Sequence, residues 1–319
     1  MKKKLLVCGA TGFIGTNLVK FFAEDGQFDV RAVYHQKPKF EIEDVEWVQA
    51  DLRDPKDVNM VMQGVDICVQ AAATTSGSKD IVSRPYIHVT DNAIMNSYLF
   101  REAFEQKCEH VIFFSCTVMY QSADLPLKEI NFDANMELVD RYFGVGHTKL
   151  YLEKMCEFFS QISETKFSAV RHSNVYGPHD KFDFDRSHFL GASVSKVMLA
   201  ENEISVWGTG EEKRDVLFVD DLNSMVGAVI ENQKKKFGLY NCGAGTAIPV
   251  KEIIQKIIDC SGKNLSMRHD LSQPSINTSL CLDSSLARSE LGWVPKFSLE
   301  EGLQVTIDWW KENINPKSF

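Results

Sequence analysis

KLLVCGATGFIG, residues 4–15, decides the fold. Its first half, LLVCGA, is an apolar run of strand type, and its second half opens an amphipathic stretch reaching to about residue 24. Gly9, Gly12 and Gly15 stand at the junction. A turn this tight needs residues without side chains, so that backbone N–H groups can approach a pyrophosphate at the N-terminus of the following helix. Three glycines alone are weak evidence. At the first strand–helix junction of a βαβ series they are strong.

Such a series follows. FDVRAVY (28–34), VEWVQAD (45–51), DICVQAA (66–72), HVIFFSC (110–116) and KFSAVRHSNVYG (166–177) read as strands, the last running into a loop. Helical patterns lie between them near 55–62, 92–106 and 148–160. The apolar runs are nearly continuous, as in strands buried on both faces, which predicts an α/β protein with a doubly wound parallel sheet. After residue 177 the rhythm breaks into shorter mixed elements. The expected division is a nucleotide-binding domain at 1–175, with segments near 215–242 returning to it. A smaller mixed α/β substrate domain would comprise 176–214 and 243–319.

Composition narrows the function. A net charge of −9 over 319 residues, with basic runs no longer than three, argues against nucleic acid as a partner. No apolar stretch approaches the roughly 18–20 residues of a membrane span. The eight cysteines are scattered without a CxxC pair and the eight histidines lack metal-ligand spacing, so neither a disulfide framework nor a metal site is expected. These features suit a cytoplasmic protein.

The glycine spacing is G-x-x-G-x-x-G, and with it the chain resembles the extended short-chain dehydrogenase/reductases, the NAD(P)-dependent nucleotide-sugar epimerase and dehydratase family. The resemblance spans nearly the whole chain. It rests on GATGFIG, on ADLRD after the third strand, on the alanines after the fourth, on Lys149, on NVYGP (174–178), on RDVLFVDDL (214–222) and on LGWVPK. It implies a Rossmann-type sheet and a cofactor held by Gly9, Thr11, Gly12, Phe13, Ile14 and Gly15. Asp51 and Leu52 would lie beside the adenine, Ala71, Ala72 and Ala73 on the nicotinamide side, and Lys149 on the nicotinamide ribose. The second strand ends in RAVYHQKPK with no acidic residue to bind a ribose 2′-hydroxyl, and His35 and Lys37 could attract a 2′-phosphate. NADP is therefore favoured over NAD, and as solvated turn residues the two would be silent on the choice.

GPHDKFDFDRSHFL and VWGTGEEKRDVLFVDDL resemble the GDP-L-fucose synthase branch in particular. That resemblance makes His188 a substrate-facing acid. It also places Asn174, Lys196, Trp207 and Arg214 in the substrate pocket, with Lys196 and Arg214 on a diphosphate. A GDP-linked hexose or heptose, a role in polysaccharide biosynthesis and a homodimer or higher homo-oligomer are its further implications.

Three positions depart from the pattern. The hydroxyl at the end of the fifth strand falls on Cys116 or Thr117. The branch's epimerising cysteine becomes Val118, which removes double epimerisation at C3 and C5. The tyrosine four residues before Lys149 becomes Val145. Gly144 and Gly146 disfavour regular helix there, so Tyr142, His147 or a water is expected to reach the reacting oxygen. The outcome is redox at C4 of the sugar by an altered oxidoreductase, with slow turnover and a cofactor that stays bound between cycles. An epimerase or dehydratase, or a non-catalytic binder of NADP or nucleotide sugar, would use the same pocket.

Overall fold

Strands β1 (Lys3–Cys8), β2 (Phe28–Tyr34), β3 (Val45–Gln49), β4 (Ile67–Gln70), β5 (His110–Ser115) and β6 (Lys166–His172) follow the apolar runs of the sequence. The computed structural model describes residues 2–74, 84, 86–135, 137–138, 140–184, 187–272 and 279–315. With β11 (Phe237–Cys242) these strands form one seven-stranded sheet in the order β3-β2-β1-β4-β5-β6-β11, and every pairing is parallel. The strand order reverses between β1 and β4, and a crevice opens beyond the carboxyl ends of strands at such a point.

Period-two alternation explains how the strands bury both faces. Leu5 and Val7 of β1 face a core built with Leu18, Val19 and Phe22 of α1 (Phe13–Asp25). Leu6 and Cys8 face the other core. There they meet Val58 and Val61 of α2 (Pro55–Met62), Leu99 and Phe100 of α3 (Ile87–Glu105), and Leu152 and Cys156 of α4 (Phe143–Ile162).

Helix α4 differs from expectation. It begins at Phe143 and runs regularly through Gly144 and Gly146. A Cβ on Gly146 would stand 2.7 Å from Leu138 Cδ1, and one on Gly144 would stand 2.8 Å from Val89 Cγ2. The glycines allow close packing here; they do not break the helix, despite a propensity cost of about 1 kcal/mol each.

The remaining elements are short strands and helices, one of which packs on α1. Short strand β7 (Asn174–Tyr176) leads towards α5 (Phe189–Leu199), and β8 (Glu203–Trp207) and β9 (Lys213–Arg214) follow. Strand β10 (Val216–Phe218) pairs with β7 and runs into α6 (Val219–Asn232), which packs on α1. Strand β12 (Ile248–Pro249) pairs with β9, as does β14 (Ser279–Leu280); β13 (Ser266–Asp270) pairs with β8. Helices α7 (Val250–Ser261), α8 (Ser285–Leu291) and α9 (Leu299–Asn313) complete the chain. Two motif carboxylates tie distant segments together. Asp215 accepts from the backbone N–H of Ala244 and Leu282, both at 2.9 Å, and Asp221 accepts from those of Lys296 at 2.7 Å and Phe297 at 3.2 Å. No helix among the described residues is long and apolar enough to cross a membrane.

Candidate active site

The glycine turn at the end of β1 has the shape of a cradle. Gly9 adopts φ +70°, and a Cβ on it would lie 2.6 Å from Ala72 Cα. A Cβ on Gly15 would lie 2.1 Å from the Gly9 carbonyl oxygen. Neither backbone can give way, so both positions require glycine. The turn is thus pressed against Ala71 and Ala72, with Ala73 following at the exposed rim. Asn92 Oδ1 accepts from Thr74 N–H at 2.9 Å and anchors that rim to α3. Gly12 caps α1 without a side-chain hydrogen bond, and no acidic residue stands in the first turn. Uncapped N–H groups and the positive end of the helix dipole suit a pyrophosphate. Thr11 is buried, while Phe13 and Ile14 are half-buried at its wall.

At the adenosine end, Leu52 belongs to the buried core, so its backbone is what it offers a ligand. The Asp51 carboxylate is held down at about 2, chiefly by hydrogen bonds from the Arg53 side chain. His35 Nε2 lies 3.6 Å from Asp51 Oδ2. Lys37 has its pKa lowered by burial and then by the charge of Lys181, so two ammonium groups share this neighbourhood.

The candidate catalytic cluster forms where β5, β6 and α4 meet. Lys149 Nζ donates to the Phe114 carbonyl at 2.6 Å and sits over the Phe113 ring at 4.6 Å. Burial lowers its pKa, opposed by Cys116 and Glu153. Burial raises the Cys116 thiol, opposed by the Lys149 charge, so the thiol stays protonated. Thr117 and Val118 follow it, half-buried. Beneath, Glu153 accepts from Ser115 Oγ at 2.5 Å and from Arg171 Nη2 at 2.6 Å, an ion pair at most 5% exposed. Breaking such a pair costs about 3–5 kcal/mol, so it fixes the ends of β5 and β6 relative to α4.

The regular helix sorts the candidates for the missing tyrosine. Val145 stands one turn before Lys149 on the same face. Tyr142, the N-cap, shares that face but lies about 10 Å from Lys149 along the axis at 1.5 Å per residue. His147 is exposed, and its ring packs on Phe143 with centroids 4.6 Å apart. Two residues from Lys149 it is turned about 200° around the helix, away from the Lys149 face.

Sequence reading passed over His172. It ends β6, its ring lies 6.0 Å from that of Phe114, and Lys149 and His188 both act on it electrostatically. Its position at the carboxyl end of a central parallel strand, next to the buried Arg171, is the signal that could have found it.

His188 caps α5, and burial followed by the Lys181 charge lowers its pKa. Residues 185 and 186 of the same motif lie outside the described residues. Lys196 Nζ stands 5.2 Å above the Trp207 ring, with its pKa lowered by burial. Arg214 is half-buried in β9. Asn174 Nδ2 donates to the Asp215 carbonyl at 3.0 Å, which commits that side chain to the fold in this conformation.

Comparison with known proteins agrees with this fold. The model of the NAD dependent epimerase/dehydratase family matches residues 5–243. GDP-L-fucose synthase of Azorhizobium caulinodans is 27% identical, over 97% of this chain and 96% of that protein. GDP-L-colitose synthase of Yersinia pseudotuberculosis is 25% identical, over 98% and 99%. Among solved structures, a GDP-6-OMe-4-keto-L-xylo-heptose reductase from C. jejuni superposes with a TM-score of 0.84 at 20% identity, covering 98% of each chain. UDP-glucose 4-epimerase of Thermotoga maritima does so with 0.84 at 22%, covering 98% of this chain and 100% of that one.

Proposed function

Because the chain belongs to the NAD dependent epimerase/dehydratase family, we propose that it oxidises or reduces C4 of a GDP-linked hexose or heptose without epimerising C3 or C5. The observation that carries this reading is Lys149, fixed by the Phe114 carbonyl beside Cys116, at the carboxyl edge that also carries the glycine cradle. A bound nicotinamide dinucleotide supplies the hydride exchange at C4. Gly9, Thr11, Gly12, Phe13, Ile14 and Gly15 would hold its pyrophosphate, and Lys149 its ribose. Cys116 or Thr117 would hydrogen-bond the sugar O4. His188 would contact the sugar, Lys196 and Arg214 the diphosphate, and Trp207 an apolar face of the ligand. Val118 offers no group to abstract a C3 or C5 proton.

The relatives' GDP-sugar names support the choice of nucleotide. The Lys37 and Lys181 neighbourhood supports NADP, since a 2′-phosphate would relieve their repulsion. The exposed faces of α3 and α4 support a homodimer.

The test incubates the purified protein with GDP-mannose, a GDP-heptose or UDP-glucose and either cofactor, read at 340 nm, with mass spectrometry of nucleotides released on denaturation. We expect absorbance change with GDP-sugars, NADP(H) preferred, and about tenfold loss of that preference in Lys37→Ala. Turnover of UDP-glucose alone would overturn the GDP assignment. Inertness towards every sugar would favour a binding protein.

A further inference from the structure

His172 and Lys149 come from different elements, and Phe114 links them: its carbonyl holds the ammonium and its ring packs edge-on against the imidazole. His172 Nδ1 lies 2.8 Å from the Ser173 carbonyl. A carbonyl only accepts, so Nδ1 carries the hydrogen and Nε2 carries the lone pair. No comparable bond fixes the tautomer of His188 among the described residues.

We propose that His172 exchanges the proton with the sugar C4 oxygen, in place of the tyrosine absent at Val145. The role rests on the C4 redox reading above. In the oxidising direction the C4 hydroxyl O–H bond breaks and its proton joins Nε2; a bound nicotinamide would accept the C4 hydride, leaving a ketone. Reduction runs the same bonds in reverse. Burial, opposed by the Ser173 hydrogen bond and aided by the charges of Lys149 and His188, lowers its pKa to about 4 and keeps the free imidazole neutral. The groups around it are Lys149 from α4, His188 ahead of α5 and the buried Cys242 thiol opposite it in β11. The nearby ammonium makes the imidazolium short-lived, and its Nε2 proton leaves to solvent water, which the half-buried residue can reach, so the base is restored.

Two variants separate this role from a structural one. His172→Asn keeps an amide N–H where Nδ1 stands but has no atom at Nε2, whereas His172→Phe loses both. On GDP-mannose with NADP+, both should lose about 10²-fold or more in kcat, with cofactor Kd within about twofold of wild type. From pH 7 to 9, kcat of His172→Asn should rise about tenfold per unit as hydroxide replaces the missing base, while wild type stays flat. Independently, ¹⁵N NMR of the free protein should show the His172 ring protonated at Nδ1 and bare at Nε2. Near-wild-type kcat in His172→Asn, or an Nε2–H tautomer, overturns the proposal. If His172→Phe fails to fold, His172→Asn and the tautomer still decide. A wild-type protein inert on every GDP-sugar overturns the C4 reading and this role together, an outcome distinct from an active enzyme indifferent to His172.

Discussion

Val145 stands where a tyrosine would share a helix face with Lys149, and the regularity of α4 makes that vacancy real. A tyrosine placed there would meet an ammonium that lowers its pKa, so Val145→Tyr tests what the site lacks. If His172 already moves the proton, Val145→Tyr should leave wild-type kcat within about threefold. In the His172→Asn background it should restore at least tenfold, because two routes to one proton are not additive. Steady-state kcat for the four proteins makes the comparison. A large gain in wild type alone would mean a merely damaged tyrosine site. The missing tyrosine was legible in the sequence because a fixed interval from Lys149 defines its place. The replacement proposed here was not, because His172 and Lys149 are joined through Phe114 only once β5, β6 and α4 converge on it.

The segment from residue 177 to 182 shows how an element couples charge to stability. It lies along α1, where Asn17 Nδ2 donates to the Pro178 carbonyl at 2.9 Å and Lys20 Nζ lies 2.8 Å from His179 Nε2. Asp180 is buried within it. One carboxylate oxygen accepts from Lys181 N–H at 2.7 Å, and Oδ2 has no hydrogen-bond partner among the described residues. Burial raises its pKa to about 7, opposed by that N–H and the Lys181 charge. Between its unfolded value near 4 and 7 the folded chain holds a proton that the unfolded chain does not, so this contribution falls as pH rises. His110, which is buried, and the half-buried His172 and His179, with pKa values lowered to about 3, 4 and 4, act in the opposite sense below about 6.5. A difference measurement cancels them. Asp180→Asn should gain stability relative to wild type by a few kcal/mol, about 1.4 per unit of pKa, as pH rises from 5 to 8 in urea melts. A difference that does not change with pH would show that Asp180 ionises freely. Elements of this kind divide sharply in legibility. β1, β4 and β5 were plain because continuous apolar runs leave one structure open, whereas the start of α4 was hidden because Gly144 and Gly146 act through Val89 and Leu138, distant neighbours that propensity does not see.

At the scale of the whole molecule, the sheet order follows from the βαβ rhythm, but the surface left over by that packing is not a local property of any run. Helices α3 and α4 pack side by side on one face of the sheet, and their outer sides remain apolar. Tyr151, Phe158 and Ile162 are 56%, 53% and 50% exposed, and Ile94 is 42% exposed on the neighbouring helix. Intervals of seven and four residues put the three α4 side chains in a single stripe. Isolated exposed apolar residues need no explanation, but a stripe continued on an adjacent helix marks an interaction surface. The same two helices from a second copy, related by a twofold axis, would cover it self-complementarily and make four packed helices. Wild type should therefore sediment as a dimer at micromolar concentration. Tyr151→Glu with Phe158→Glu should sediment as a monomer with an unchanged circular dichroism spectrum, because a charge in each stripe would face its own copy across the axis. The candidate catalytic cluster contacts α4 from the opposite side, through Lys149 and Glu153. Cofactor affinity in the monomeric variant should thus fall by no more than about threefold. A wild type that sediments as a monomer would instead leave the stripe to a partner other than this chain.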